Sequence, residues 1–279
     1  MYFYNISEAK ILYTEIFKHK TYYKNGIKIP KNATIIDIGA NVGVFTVFSM
    51  ITFENPKIYA FEPVLPIFDL LEKNISLYNG NVKTFNVGIS DIEEEAIFDY
   101  YPNATTLSGR HSGNYNIRQE VEQFINNTRK EDPEELVANH MEELLDDRLV
   151  KENHTCQLKP LSQIIKEEEI EHIDLLKIDA ENVELEVING INDEDWSKID
   201  QVIIEVYNQN GRLETIKKQL IGYGFKVTAY QSGELEGTNF YDLYCLREEE
   251  IIEGKIDEDY EDNNWYGSKP LISSIRESI

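Results

Sequence analysis

Cysteine is nearly absent: the 279 residues include only Cys156 and Cys245. Two cysteines cannot build a disulfide framework, so a reducing, cytoplasmic setting is expected. No apolar run approaches the ~20 residues a membrane span needs. The first ten residues, MYFYNISEAK, lack the basic segment and apolar core of a secretory signal. Basic residues are scarce too, with 27 Lys and Arg against 51 Asp and Glu and a net charge of −24. Such a surface repels phosphate backbones, and neither a basic stripe nor a basic amphipathic helix is present, so no nucleic-acid or membrane partner is expected. There is no internal repeat and no low-complexity segment.

Three acidic runs stand out: DIEEE (91–95), KEEEIE (166–171) and REEEIIEGKIDEDYED (247–262). Each reads as a solvated helix face or a frayed segment, the last as part of an acidic, loosely ordered C-terminal tail over 248–279. The hydrophobic fraction of 41% is enough for a sizeable core. Apolar spacing predicts a short amphipathic helix over 8–18, within an N-terminal helical cap of residues 1–30. TIIDI (34–38), KIYAF (57–61) and VKTFNV (82–87) read as strands, separated by helices over 42–51 and about 66–78. The alternation resumes with IDLLKID (173–179), a helix across VELEVING, QVIIEVY (201–207), a helix from Arg212 to Gly222 or Gly224, and strands at 225–230 and 241–247 joined as a hairpin. This is an α/β pattern: a mostly parallel sheet with right-handed crossovers and a terminal antiparallel strand. The main domain spans 31–247. Between its halves, about 115–150 reads as a helical insertion or lid.

The chemistry starts at IIDIGANVG (35–43). Gly39 permits a sharp turn and Gly43 a close helix approach, and the helix beyond presents unpaired N–H groups. A dinucleotide fingerprint would need glycines where Asn41 and Val44 stand, and Asp37 would repel a pyrophosphate, so a nicotinamide dehydrogenase is disfavoured. Asp37 suits an amino-acid head group, and Glu62, 25 residues further on at the end of the second strand, suits a ribose diol. Together they fit S-adenosyl-L-methionine, with Ser90 or Asp91 meeting the adenine edge. KIDAENVE places Lys177 and Asp179 on one side of a strand end, followed by Glu181 and Glu184, where an open α/β sheet binds ligands. Glu205 and Tyr207 end the next strand, and Lys177 is a candidate partner for Glu205.

Taken together, IIDIGANVGVFT, YAFEP, NVGISD, IDLLKIDAENVELEVINGI and VIIEVYN resemble the FkbM family of S-adenosylmethionine-dependent methyltransferases. Flanking text such as DYYPNATTLSGR and INDEDWSKIDQVIIEVYN resembles the members associated with modular polyketide and nonribosomal peptide synthases. The likeness runs from about Tyr13 to Arg247. It implies a Rossmann-like class I methyltransferase fold and O-methylation of a polyketide or peptide intermediate, free or tethered to an acyl carrier protein. By motif it implies Asp37, Gly39, Asn41, Gly43 and Glu62 as cofactor contacts, Ser90 and Asp91 near the adenine, and Asp179 and Glu181 as active-site acids. The chain departs from the family at Asn182, where Gly or a charged residue is usual, and at EVYN, where synthase-associated members commonly read EVHD. Tyr207 is a poor base unless its pKa is lowered, which keeps open a second reading, a cofactor-binding docking module without turnover. Candidate bases are Glu205, Asp179, His111 and His154. The stretch ATTLSGR (104–110) reads as a substrate-side loop, with Arg110 and the adjacent His111 on the acceptor side. No metal is expected, because no third oxygen ligand accompanies the acid pair.

Overall fold

The structure is a computed structural model that describes residues 1–110, 119–120, 122–124, 126–127, 150–247 and 276–277. Its centre is a seven-stranded sheet of β2 (Thr34–Ile38), β3 (Lys57–Phe61), β4 (Asn81–Phe85), β8 (Leu175–Ile178), β9 (Gln201–Tyr207), β10 (Phe225–Tyr230) and β11 (Phe240–Arg247). The strand order is β10-β11-β9-β8-β2-β3-β4. Neighbours from β4 to β9 run parallel, while β11 is antiparallel to both β9 and β10. The antiparallel strand is thus the last of this sheet in sequence, inserted one place in from the edge. Strand order reverses between β2 and β8, the switch point where doubly wound sheets open a crevice for ligands.

Side chains alternate across the sheet, as a two-residue period requires. Ile36, Tyr59, Leu176 and Ile204 face one layer made by α4 (Leu161–Glu167), α5 (Glu184–Asn189), α6 (Asp193–Trp196) and α7 (Arg212–Gly222). Ile35, Ile58, Leu175, Ile203 and Tyr244 face the other, made by α2 (Val44–Thr52), α3 (Leu65–Ile75) and the N-terminal cap. The cap begins with β1 (Tyr2–Phe3) and α1 (Ile6–Tyr13), continues as a π-helical stretch over Thr14–Lys18, and closes with a 3₁₀ turn at Thr21–Tyr23. It is sealed to the sheet by rings: Tyr23 stacks on Phe45 and Phe48, and Phe17 meets Phe48 edge-on.

A second sheet was not anticipated. β5 (Gly88–Ile89), β6 (Glu94–Tyr100) and β7 (Glu152–Lys159) form a three-stranded sheet in the order β5-β7-β6. The DIEEE run is therefore no helix: Glu94 and Glu95 open β6, whose Ala96, Phe98 and Tyr100 turn inward while Glu95 and Ile97 face solvent. Most of the predicted insertion and tail lies outside the described residues. The described positions 119–120, 122–124 and 126–127 are helical, and β12 (Arg276–Glu277) pairs in parallel with β1.

Candidate active site

The turn after β2 is held by a close backbone approach. Gly39 has φ 72°, and a Cβ there would stand 1.8 Å from the carbonyl oxygen of Asp179, so the loops after β2 and β8 touch only because residue 39 has no side chain. Gly43, at φ 86°, faces Leu71 of α3: a Cβ would stand 2.7 Å from Leu71 Cδ1. It packs helix on helix, not helix on its own strand as the sequence suggested.

Beneath the turn lies a buried ion pair. Asp37 and Lys177 are register partners on β2 and β8. Lys177 Nζ lies 3.0 Å from Asp37 Oδ1 and 3.1 Å from the Gly39 carbonyl oxygen, and 3.4 Å from Asp179 Oδ2. Thr46 Oγ1 donates to Asp37 Oδ2 at 2.6 Å. Burial pulls the Lys177 ammonium toward neutrality, and the charges of Asp37 and Asp179 more than reverse that, so its pKa is raised. Lys177 thus serves Asp37 and Asp179, not Glu205. Asp37, at 0% exposure, has both oxygens engaged by its own chain and lines neither cavity described below.

Above the turn, the first cavity runs from Glu62 at one end to Asp179, Glu181 and Glu205 at the other. Glu62 is 5% exposed. It accepts the Asn41 N–H at 3.1 Å and the Val64 N–H at 2.9 Å. Burial nevertheless pushes its carboxyl up to about 7. Phe61, Ile67, Val87 and Ile89 make an apolar wall beside it. Val87, Gly88 and Ile89 stand where Ser90 and Asp91 were expected: Ser90 is buried with its hydroxyl 3.2 Å from Asp91 Oδ1, Asp91 is exposed, and neither lines the cavity. The substrate-side loop does reach the site through Thr105, Thr106, Ser108 and Gly109. Thr105 Oγ1 donates to Asn41 Oδ1 at 2.9 Å, tying this loop to the glycine turn.

At the far end, Tyr22 of the cap donates to Asp179 Oδ2 at 3.1 Å. Glu205 is held well above the usual carboxylate range by burial first, then by the charges of Asp179 and Asp242. A second, larger cavity, about 220 Å³ against about 150 Å³, shares Leu12, Glu15, Thr106, Glu181 and Glu205 with the first. The two meet at these acids.

Other expected site residues are placed elsewhere. Tyr207 donates to Glu120 Oε1 at 3.1 Å and lines neither cavity, and burial followed by the charge of Glu120 raises its pKa. His154, on β7, lies 3.5 Å from Glu152 and edge-on to Tyr100, also outside both cavities. Arg110 pairs with Glu94 at 2.7 Å and lines neither cavity, so it is not a free anchor. His111 lies outside the described residues. Glu184 turns to Arg212 at 3.1 Å, away from the site. Asn182 sits at φ 73°, a conformation Asn tolerates better than most residues. Sequence reasoning missed Glu15, Tyr22 and Asp242. A signal existed for the ion pair: one buried charge in each of two adjacent apolar strands calls for the other.

Residues 37–227 match the methyltransferase FkbM domain family. The chain is 36% identical over 250 residues to the AMB antimetabolite synthetase AmbE of Pseudomonas aeruginosa, covering 87% of this chain but 12% of AmbE. It is 30% identical over 248 residues to the 31-O-demethyl-FK506 methyltransferase FkbM of Streptomyces tacrolimicus, covering 87% of this chain and 92% of that protein. It is 31% identical over 234 residues to methyltransferase sdnD of Sordaria araneosa, covering 79% of this chain and 83% of its relative. The sheet is that of a class I, Rossmann-like methyltransferase. The chain belongs to the FkbM methyltransferase family.

Proposed function

We propose that the protein is an S-adenosyl-L-methionine-dependent O-methyltransferase acting on a hydroxyl of a polyketide or peptide intermediate, free or tethered to an acyl carrier protein. The observation that carries this reading is one continuous cleft with a buried carboxylate beside a glycine turn at one end and three acids at the other. The residues fit the cofactor: Glu62 is a cavity-facing acceptor for two ribose hydroxyls, the Gly39–Asn41 backbone lies alongside, and Phe61, Ile67, Val87 and Ile89 offer an apolar face to a base ring. When bound, the cofactor supplies an already activated methyl group, so the protein's work is alignment of the acceptor.

The chain's own residues divide that work. Asp37 acts indirectly: through Lys177 it holds the Gly39 carbonyl and Asp179 in place. Glu181 and Glu205, common to both cavities, orient a hydroxyl entering from the second cavity and draw off its proton. The polyketide or peptide class is supported by the names of the relatives, a synthetase and a demethyl-FK506 methyltransferase. The second reading, a docking module without turnover, drew on Tyr207 as a poor base; with Tyr207 outside both cavities, that residue no longer separates the two.

Incubation with cofactor labelled in its methyl group and carrier-bound or free β-hydroxyacyl acceptors tests the reading. Labelled ether product is expected, lost in Glu205→Gln. Tight cofactor binding with no transfer to any acceptor would favour the module.

A further inference from the structure

We propose that Asp179, Glu181 and Glu205 form a binding site for one hard divalent cation, of the Mg²⁺ or Mn²⁺ class, at the junction of the two cavities. The site stands whether or not the chain transfers a methyl group. One oxygen from each of the three carboxylates lies within 4.8 Å of the other two. Oxygen ligands on opposite sides of Mg²⁺ or Ca²⁺ lie about 4 to 5 Å apart, so the three oxygens lie within the span that one ion can bridge. An all-carboxylate set selects hard cations over zinc or copper.

The independent observation is Asp242. It is 3% exposed, lines the second cavity together with Glu181 and Glu205, and is the cross-strand register partner of Glu205. Among the described residues no hydrogen bond or ion pair reaches its carboxylate. A carboxylate this buried is held in its ionised form only where a positive charge meets it. Among the described residues, two lysines approach these acids. Lys177 is committed to Asp37 and Asp179. Lys24 lines the second cavity and moderates Asp242, but its ammonium lies over the Tyr230 ring at 5.7 Å.

The sheet explains why the acids gather here. Asp37, Lys177, Ile203 and Tyr244 form a row across β2, β8, β9 and β11. Two residues further toward the strand ends of β8 and β9, the next row holds Asp179 and Glu205, with Asp242 opposite Glu205 on β11. The lower row carries its own counter-charge in Lys177, which also reaches Asp179; among the described residues no cation is hydrogen-bonded or ion-paired to Glu205 or Asp242. Asp179 and Glu205 supply ligands from strand ends, Glu181 from the loop beyond β8, and Asp242 adds a further negative charge beside Glu205 on the wall of the second cavity.

The test is titration of the full chain with Mn²⁺ alone, without cofactor or acceptor, followed by the loss of the free-ion electron paramagnetic resonance signal. One saturable site is expected, with Kd below about 1 mM, the weak end of carboxylate cation sites, and Mg²⁺ should displace the bound ion. Glu205→Gln should abolish it, Asp242→Asn should weaken it about tenfold by removing one of the negative charges that set cation affinity, and Glu94→Gln, a surface acid paired with Arg110, should leave it unchanged. Circular dichroism establishes that each variant is folded; where Glu205→Gln is not, Asp242→Asn on its separate strand carries the test. Absence of saturable binding to folded protein, or binding indifferent to both substitutions, would overturn the proposal.

Discussion

Glu62 is where the chemistry of one residue sets the behaviour of the site. Its carboxyl is raised from 4.5 to about 7 by burial. Between those values the folded state holds a proton that the unfolded state releases, so its contribution to the unliganded fold is present below pH 4.5 and is lost as the pH rises through 7. A ribose diol donates two hydroxyls and prefers the ionised form. S-adenosylhomocysteine should therefore bind about tenfold tighter at pH 8 than at pH 6, the ratio of ionised Glu62 at the two values, and Glu62→Gln should bind weakly with the step removed. Calorimetry at both pH values checks this. Gly39 is the second residue on which the site turns. Gly39→Ala must relieve a Cβ 1.8 Å from a backbone oxygen at positive φ, at a cost of more than about 2 kcal/mol. Urea unfolding would register it, and an unchanged midpoint would contradict the close approach of the two loops.

Between elements, the Asp37–Lys177 pair fastens β2 to β8 at the strand ends that carry the site. Lys177→Met leaves Asp37 buried and unpaired, a loss of about 3–5 kcal/mol. The double variant Asp37→Leu with Lys177→Met should lose much less than the two single losses added together; strict additivity in denaturant melts would mean that the two charges do not sense each other. This pair also shows what was legible in the sequence. Strands 34–38, 57–61, 201–207 and 225–230 agree residue for residue with the structure, because buried strands are written as short apolar runs between turn residues. The places of Gly39 and Glu62 beside the cavity were legible because each directly follows a strand end. β6 was not: half its residues are acidic or face solvent, and DIEEE masks its period of two. The partner of Lys177 was ambiguous because register is a tertiary fact; Lys177 sits opposite Asp37 and Ile203, two residues short of Glu205. Glu15, Tyr22 and Asp242 reach the site only through packing of the cap and the last strand, which no local pattern records.

At the scale of the whole molecule, the N-terminal cap belongs to the core and to the site at once. Ile16 and Tyr22 are buried among the residues of the α2 face, and Leu12, Glu15 and Tyr22 line the first cavity. Removal of residues 1–30 should strip one face of the sheet, abolish the near-ultraviolet circular dichroism of the packed core and eliminate cofactor binding. A truncated chain with native spectra and undiminished affinity would show that the cap is dispensable. Among the described residues no helix is long and apolar enough to cross a membrane.

The central claim is that the cleft above β2 and β3 grips an aminoacyl nucleoside by its sugar, with the reacting end turned to the acids. A crystal structure of the full chain with S-adenosylhomocysteine measures it directly. The account predicts ribose hydroxyls within hydrogen-bonding distance of Glu62 and the sulfur pointing toward Asp179, Glu181 and Glu205. A nucleoside bound elsewhere, or one that leaves Glu62 without contact, would contradict it.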